Sequence, residues 1–296
     1  MTSDITLFVN PTAGRGRGAH AAPPAARVLR DAGYTVRTVL GADADDALRR
    51  ARAAVAGGTG ALIAVGGDGM VSLALQAVAG TGTPLGVVAV GTGNDFARSL
   101  GLPVRDPAGA ARRIARALKE DGGRETDLGR AGDTWFGTVL AAGFDSRVND
   151  RGNRMRWPTG RFRYDIAMLA ELAALRPIPF RVRLDDGPEQ EVEATLIAVG
   201  NTGSYGGGMR ICADARPDDG LFDVTVVGPC RRATLLRVFP RVYKGTHLTH
   251  PAVTVHRVAA VSLAADGITG YADGERVGAL PLTARTVPGA VRVLGA

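Results

Sequence analysis

The chain has 296 residues, of which 45% are hydrophobic and 22% charged, and it carries a net charge of +7. That length accommodates two domains with separate cores, and the composition is that of a globular protein. No run of about 18 apolar residues occurs, which excludes a transmembrane helix, and two cysteines, Cys212 and Cys230, are too few for a disulfide framework.

The basic balance suits nucleic acid, anionic lipid or a phosphorylated ligand, and equally a genomic preference for arginine. The cysteine count points to a reducing compartment. Met1 to Val9 carries Asp4 and no long apolar run, so it does not read as a secretory signal. The expected location is the cytoplasm, with any membrane contact peripheral.

The first part reads as strand, glycine turn and helix, repeated. Ile5 to Val9 is a short apolar run ending in Asn10-Pro11-Thr12-Ala13-Gly14. Helical character follows at Ala25 to Ala32, a strand at Tyr34 to Leu40, and a helix at Asp45 to Val55. Ala61 to Val65 is a buried-strand run that stops at Gly66-Gly67-Asp68-Gly69, followed by a helix over Met70 to Ala79. Leu85 to Val90 is another, ending at Gly91-Thr92-Gly93-Asn94-Asp95. Such alternation predicts a mostly parallel sheet with helices on both faces.

Near Glu125 helical periodicity fades, and the boundary is placed at Asp127, giving domains 1–127 and 128–296. The last residues are allowed to return to the first domain. Strand candidates are Thr134 to Leu140, Phe180 to Leu184, Glu191 to Val199, Phe222 to Val227, Val253 to Val258 and Val261 to Ala264. Turn signals separate several of them, which suggests an antiparallel sandwich or barrel. Tyr164 to Leu175 and Arg232 to Tyr243 are candidate helices.

Three glycine turns after three parallel strands belong at one carboxyl edge, where open α/β sheets bind ligands. Glycine lets the backbone approach an anion, and the next helix offers free N–H groups. Asp68 and Asp95 are out of place beside polyphosphate unless they hold Mg²⁺ or orient a nucleophile. The competing reading of Asp68 is a helix N-cap.

These three turns, together with Phe96-Ala97-Arg98, resemble the nucleotide-binding motifs of the diacylglycerol/sphingosine-type lipid kinases. Val199-Gly200-Asn201, Tyr205-Gly206-Gly207-Gly208, Asp219-Gly220-Leu221-Phe222-Asp223 and Asp273-Gly274-Glu275 resemble that family's substrate-domain motifs, in the same order. The resemblance covers nearly the whole chain. It implies a Rossmann-like α/β lobe that binds ATP, a β-sandwich lobe closing over it, and catalysis in the cleft. Asn10 to Gly14, Gly67 to Leu73 and Thr92 would hold the nucleotide. A structural Mg²⁺ would bind Asp219 and the carbonyls of Arg216 and Leu221. Asp-Gly-Glu would supply the general base that takes the proton of a lipid hydroxyl, Glu275 first and Asp273 second. Taken alone, Asp273-Gly274-Glu275 and Asp219-Gly220 each read as a turn.

Departures from the pattern are Met70, Ser72 and Leu73, where the family carries Thr and then Asn-Glu, and Gly41, where an adenosine-contacting Thr is usual. Arg147, Arg151, Arg154, Arg156, Arg161 and Arg163, with Trp157 among them, have the chemistry of an anionic membrane interface. They read equally as an RNA contact or a solvated loop. Nucleic acid is the disfavoured partner, and a homodimer is compatible with the sequence. His20, His247, His250 and His256 lack zinc spacing, and Cys212 reads as structural.

The expected activity is transfer of the γ-phosphate of ATP to a lipid primary hydroxyl, diacylglycerol first. The alternatives are an NAD kinase, which shares the Gly-Gly-Asp-Gly turn, and a nucleotide- or lipid-binding regulator without catalysis.

Overall fold

The structure, a computed structural model, describes residues 3–155, 166, 170, 171, 174 and 176–296. β1 (Asp4–Val9), β2 (Thr35–Val39), β3 (Leu62–Gly66) and β4 (Leu85–Ala89) are parallel, in the order β2-β1-β3-β4. Alternate residues of each strand serve opposite faces. Ile5, Leu7, Val9, Ile63 and Val65 meet α1 (Ala13–Asp31) and α5 (Pro107–Lys119). Phe8, Leu62 and Ala64 meet α2 (Ala44–Ala56), α3 (Asp68–Val78) and α4 (Asp95–Ser99). With both faces covered, β3 and β4 are buried end to end and read as unbroken apolar runs.

The helices start where local chemistry favours them. Asp43 caps α2 by accepting the Asp46 N–H at 2.8 Å, and Asp106 caps α5 by accepting that of Gly109 at 2.8 Å, with Pro107 in the first turn. α5 was not expected from periodicity. α1 begins at Ala13, immediately behind the first glycine turn, and runs through Pro23 and Pro24. It is therefore longer than the expected 25–32.

The second part contributes β5 (Arg124–Ala131), β6 (Thr134–Phe136), β7 (Val139–Gly143), α6 (Phe144–Arg154), β8 (Ile178–Leu184), β9 (Gln190–Ala194), β10 (Leu196–Gly200), β11 (Phe222–Val227), α7 (Arg232–Val242), β12 (Val253–Val258), β13 (Ala260–Ala264), β14 (Thr269–Ala272), β15 (Glu275–Ala279) and β16 (Leu282–Val293). β16 joins the two parts: Val293 pairs with Leu85 of β4, and the rest of the strand pairs with β5 and β13. The first sheet thus continues through β16, β13, β8 and β9. A second, antiparallel sheet in the order β12-β11-β10-β7-β14-β15 faces this extension. Phe136, Phe180, Ile197, Phe222 and Val261 fill the space between, with the Phe136 and Phe222 rings stacked at 5.7 Å.

Two expected strands are each divided between the sheets. Thr134 to Leu140 breaks at Gly137-Thr138 into β6 and β7, and Glu191 to Val199 breaks at Thr195 into β9 and β10. Thr195 is buried at the corner, donating its N–H to Val227 at 2.7 Å and its hydroxyl to Gly228 at 3.1 Å. The residues next to each break, Phe136 and Val139, Ala194 and Leu196, are apolar, so the change of sheet is not marked at the break itself. The candidate helix Tyr164 to Leu175 falls largely outside the described residues.

Candidate active site

β1, β3 and β4 are neighbours, and their three carboxyl ends carry the three glycine turns. The chain passes from β1 to β2 on one side and returns to β3 on the other, so the crevice of the sheet opens between the first two turns. In the first turn, Asn10 Oδ1 accepts the Thr12 N–H at 3.0 Å and its hydroxyl at 2.8 Å. Gly14 lies at φ +61°, and a Cβ there would stand 2.4 Å from the Val90 carbonyl oxygen. The second and third turns touch backbone to backbone. A Cβ on Gly67 would lie 3.0 Å from Gly91 Cα, and one on Gly91 would lie 2.4 Å from Gly67 Cα.

Asp68 fastens these two turns together. Its Oδ2 accepts the Asn94 N–H and its Oδ1 the Asp95 N–H, both at 2.7 Å. The competing reading of Asp68 as the cap of its own helix does not hold: Gly67 is the N-cap of α3, and Asp68 binds the first N–H groups of the neighbouring α4. Asn94 holds the left-handed corner at φ +58° by accepting the Gly91 N–H at 2.8 Å and donating to its carbonyl at 3.1 Å.

Asp95 is buried. Its Oδ2 accepts the Gly207 N–H at 2.7 Å, while Oδ1 is buried without a hydrogen-bond partner. Burial pushes its pKa up, the Gly207 N–H opposes this, and the charge of Asp68 adds to the rise. A buried carboxylate oxygen without a hydrogen-bond partner is suited to a cation. The residues here fit Mg²⁺ at Asp95 Oδ1.

The second part supplies the other wall. Tyr205 and Met209 exchange N–H···O bonds of 3.0 and 2.9 Å, and the loop between them brings Gly207 to Asp95. Asp273 and Glu275, the second and first candidates for the base, have different surroundings. Asp273 accepts the N–H groups of Gly137 and Thr138, each at 2.8 Å, and the Thr138 hydroxyl. Burial pushes its pKa up against those three bonds. Its carboxylate therefore fixes the β14–β15 turn to the break between β6 and β7. Glu275 is exposed, accepts no hydrogen bond among the described residues, and places Oε1 3.3 Å from the point where Gly69 would carry a Cβ. It stands over the start of α3. Asp273→Ala is expected to strand three donors and cost roughly 2–4 kcal/mol of stability, measured by denaturant unfolding.

Asp219, the expected ligand of a structural Mg²⁺ with the carbonyls of Arg216 and Leu221, lies beside an arginine. Its Oδ1 accepts the Leu221 N–H at 3.1 Å, and its Oδ2 pairs with the Arg257 guanidinium, which also lies 3.4 Å from Asp223. An arginine already supplies the counter-charge. No group of three or more His, Cys, Asp or Glu that could hold a metal occurs among the described residues. The same loop is tied by Asp127, which the sequence marked only as a boundary. This buried carboxylate accepts the Gly220 N–H at 2.7 Å and the Gly289 N–H at 2.8 Å.

Two further residues of the site were not singled out. Arg17, on α1, donates from Nη2 to the Gly91 carbonyl at 3.2 Å, and its Nε is buried without a partner. It places a cation among the glycine turns. Gln76, on α3, exchanges hydrogen bonds of 2.7 and 2.9 Å with the Trp135 backbone, and so clamps the first part to β6. Of the departures, Met70 and Ser72 are buried and Leu73 leans on the same core. At Gly41 a Cβ would lie 2.5 Å from Ala47 backbone atoms, so no threonine fits. Cys212 is a buried thiol pushed up to about 12 by burial, consistent with a structural role. In the arginine-rich segment, Arg151 pairs with Glu171 at 2.5 Å. Arg156, Trp157, Arg161, Arg163 and the Arg154 side chain lie outside the described residues.

Residues 4–130 match the model of the diacylglycerol kinase catalytic domain, and residues 138–295 match that of the YegS C-terminal NAD kinase beta sandwich-like domain. A diacylglycerol kinase of Mycobacterium tuberculosis (strain ATCC 25618 / H37Rv) is 48% identical over 296 residues, spanning 98% of this chain and 94% of the relative. One from Staphylococcus aureus (strain MRSA252) is 29% identical over 285 residues, spanning 95% and 89%. Among solved structures, a diacylglycerol kinase from Bacillus anthracis str. Sterne shares the fold, with a TM-score of 0.71 at 21% identity over 99% of this chain and 96% of that one. An NAD kinase from Archaeoglobus fulgidus in complex with ATP aligns with a TM-score of 0.56 at 11% identity, over 99% and 93%. The architecture is that of a two-domain kinase, an α/β lobe followed by an antiparallel β-sandwich. The chain belongs to the diacylglycerol kinase family, whose members transfer a phosphoryl group to an alcohol. No helix among the described residues is long and apolar enough to cross a membrane.

Proposed function

We propose that the chain transfers the γ-phosphate of ATP to the primary hydroxyl of diacylglycerol, forming phosphatidic acid at the inner face of the membrane, with Glu275 as general base. The observation that carries this reading is the free Glu275 carboxylate standing over Gly69, at the edge where the three glycine turns meet. Phosphates lie along the N–H groups of those turns, with Arg17 as a nearby cation. The lipid hydroxyl oxygen attacks the γ-phosphorus, the bond to the ADP oxygen breaks, and the hydroxyl proton passes to Glu275. Mg²⁺ held at Asp95 Oδ1 would neutralise phosphate charge.

The turns act only if they stay in register. Gly91→Ala must push the second and third apart, because its Cβ would sit 2.4 Å from Gly67 Cα. A displacement near 1 Å at a reacting centre costs on the order of 10²-fold, and a loss of that size in kcat/KM is expected from steady-state kinetics. The choice of acceptor is tested by ADP release with diacylglycerol, a sphingoid base or NAD⁺. Diacylglycerol is expected to drive it. Release with NAD⁺ and not with lipid would favour the fold's other chemistry, that of the NAD kinases.

A further inference from the structure

α7 carries a surface that the phosphoryl-transfer site does not use. Between Pro229 and Ala252 the chain holds Arg231, Arg232, Arg237, Arg241 and Lys244 and no acidic residue. At about 100° of rotation per residue, Arg232, Ala233, Leu236, Arg237, Pro240, Tyr243 and Lys244 fall on one side of the helix, and each of them is exposed. Leu235, Val238 and Val242 fall on the other side. They close over an apolar pocket on the second sheet, whose lining also includes Tyr205 and Met209.

The exposed side has an order to it. Tyr243, Leu236 and Pro240 run down its middle, with Arg232 along one edge and Arg237 and Lys244 along the other. Leu236 is 57% exposed and Tyr243 49% exposed, a cost in water that a monomer gains nothing from. Arg231, Arg232, Arg237 and Lys244 form no ion pair among the described residues. Arg241 is held instead by Thr249 and the Thr246 carbonyl, and the acid on the adjoining loop is Asp214. An apolar strip flanked by unpaired cations is the pattern of a helix lying in a lipid–water interface.

We propose that α7 docks the protein on an anionic membrane, with Leu236 and Tyr243 entering the headgroup layer and Arg232, Arg237 and Lys244 meeting lipid phosphates. Its position suits the work of the site: the turn Tyr205–Met209 leans on the pocket under α7 and touches Asp95 with Gly207. A membrane bound at α7 is one turn away from the cleft. The proposal extends the lipid-kinase reading but is tested without it, in the absence of nucleotide and acceptor lipid.

The test is cosedimentation of the full chain with phosphatidylcholine vesicles, with and without phosphatidylglycerol, at low and high salt. The parent is expected to bind the phosphatidylglycerol vesicles. Changing Arg232, Arg237 and Lys244 together to Ser is expected to lower partition on the order of 100-fold at low salt, from roughly fivefold per cation. Leu236→Ser with Tyr243→Ser is expected to lower binding at high salt as well, since salt screens charge and not apolar insertion. Arg112, Arg116 and Lys119 on α5, changed together to Ser, remove the same charge elsewhere and are expected to leave binding near that of the parent. The proposal is overturned if the α7 cation variant partitions like the parent, or if the α5 variant loses as much. It is also overturned if added RNA strips the parent from vesicles and binds the Leu236→Ser, Tyr243→Ser variant unchanged. Vesicle binding by a parent that phosphorylates no lipid would sink the kinase reading and leave the docking surface standing.

Discussion

Glu275→Ala is expected to lower kcat by about 10²–10⁴ while nucleotide affinity and melting temperature stay near those of the parent. The structure gives Glu275 no structural duty: its carboxylate is exposed and accepts no hydrogen bond among the described residues. What the substitution removes is an oxygen at the mouth of the second glycine turn. Glu275→Gln keeps the shape and cannot take a proton, so it should be as inactive as Ala. Asp273→Ala should show the opposite profile, with unfolding as its primary defect, because its oxygens are committed to Gly137 and Thr138. Steady-state kinetics paired with thermal melts separate the two. Wild-type turnover in Glu275→Gln would remove the proposed base.

Asp95→Asn is expected to abolish most Mg²⁺-dependent turnover and to stabilise the fold. Burial raises the Asp95 pKa, so the folded chain holds this proton more tightly than the unfolded chain does. The resulting stabilisation is complete below the unfolded value and is lost as pH rises through the raised folded value. At neutral pH the ionised side chain is therefore a liability, kept beside Asp68 with one oxygen unpartnered. Asparagine preserves the contact to the Gly207 N–H and removes the charge. A gain of roughly 0.5–2 kcal/mol is the usual size when a strained site residue is relieved. Differential scanning calorimetry and a Mg²⁺ titration check both halves, and a destabilised Asp95→Asn with normal Mg²⁺ dependence would contradict the assignment.

The glycine turns were legible because each ends an unbroken apolar run, and a strand buried on both faces has nowhere to end except at a sheet edge. That local logic placed β1, β3 and β4 and their turns correctly. It stops where partners are distant. Asp68 read as an acid for Mg²⁺ or the nucleophile, or else as a cap for its own helix, and no local signal showed that it binds N–H groups 26 and 27 residues further on. Asp127 looked like a linker residue, yet it joins two loops at Gly220 and Gly289. The resemblance put a structural Mg²⁺ at Asp219, and no local signal showed that Arg257 of β12 pairs with the same carboxylate. In the sequence Asp273 and Glu275 are both candidate bases, with Glu275 preferred. Only the fold shows that the first is turned toward the break between β6 and β7 and the second toward Gly69. The divided strands were illegible for a simpler reason: the residues directly beside each break, Phe136 and Val139, Ala194 and Leu196, are apolar whichever sheet receives them.

The central claim, that this cleft moves a γ-phosphate to a lipid hydroxyl, is tested most directly by following a radiolabelled γ-phosphate. The purified chain is given labelled ATP, Mg²⁺ and diacylglycerol in mixed micelles, and the mixture is extracted into organic solvent. Label is predicted to enter the organic phase as phosphatidic acid with the parent and not with Glu275→Gln. Label confined to the aqueous phase for every lipid acceptor, or equal transfer by Glu275→Gln, would contradict the account.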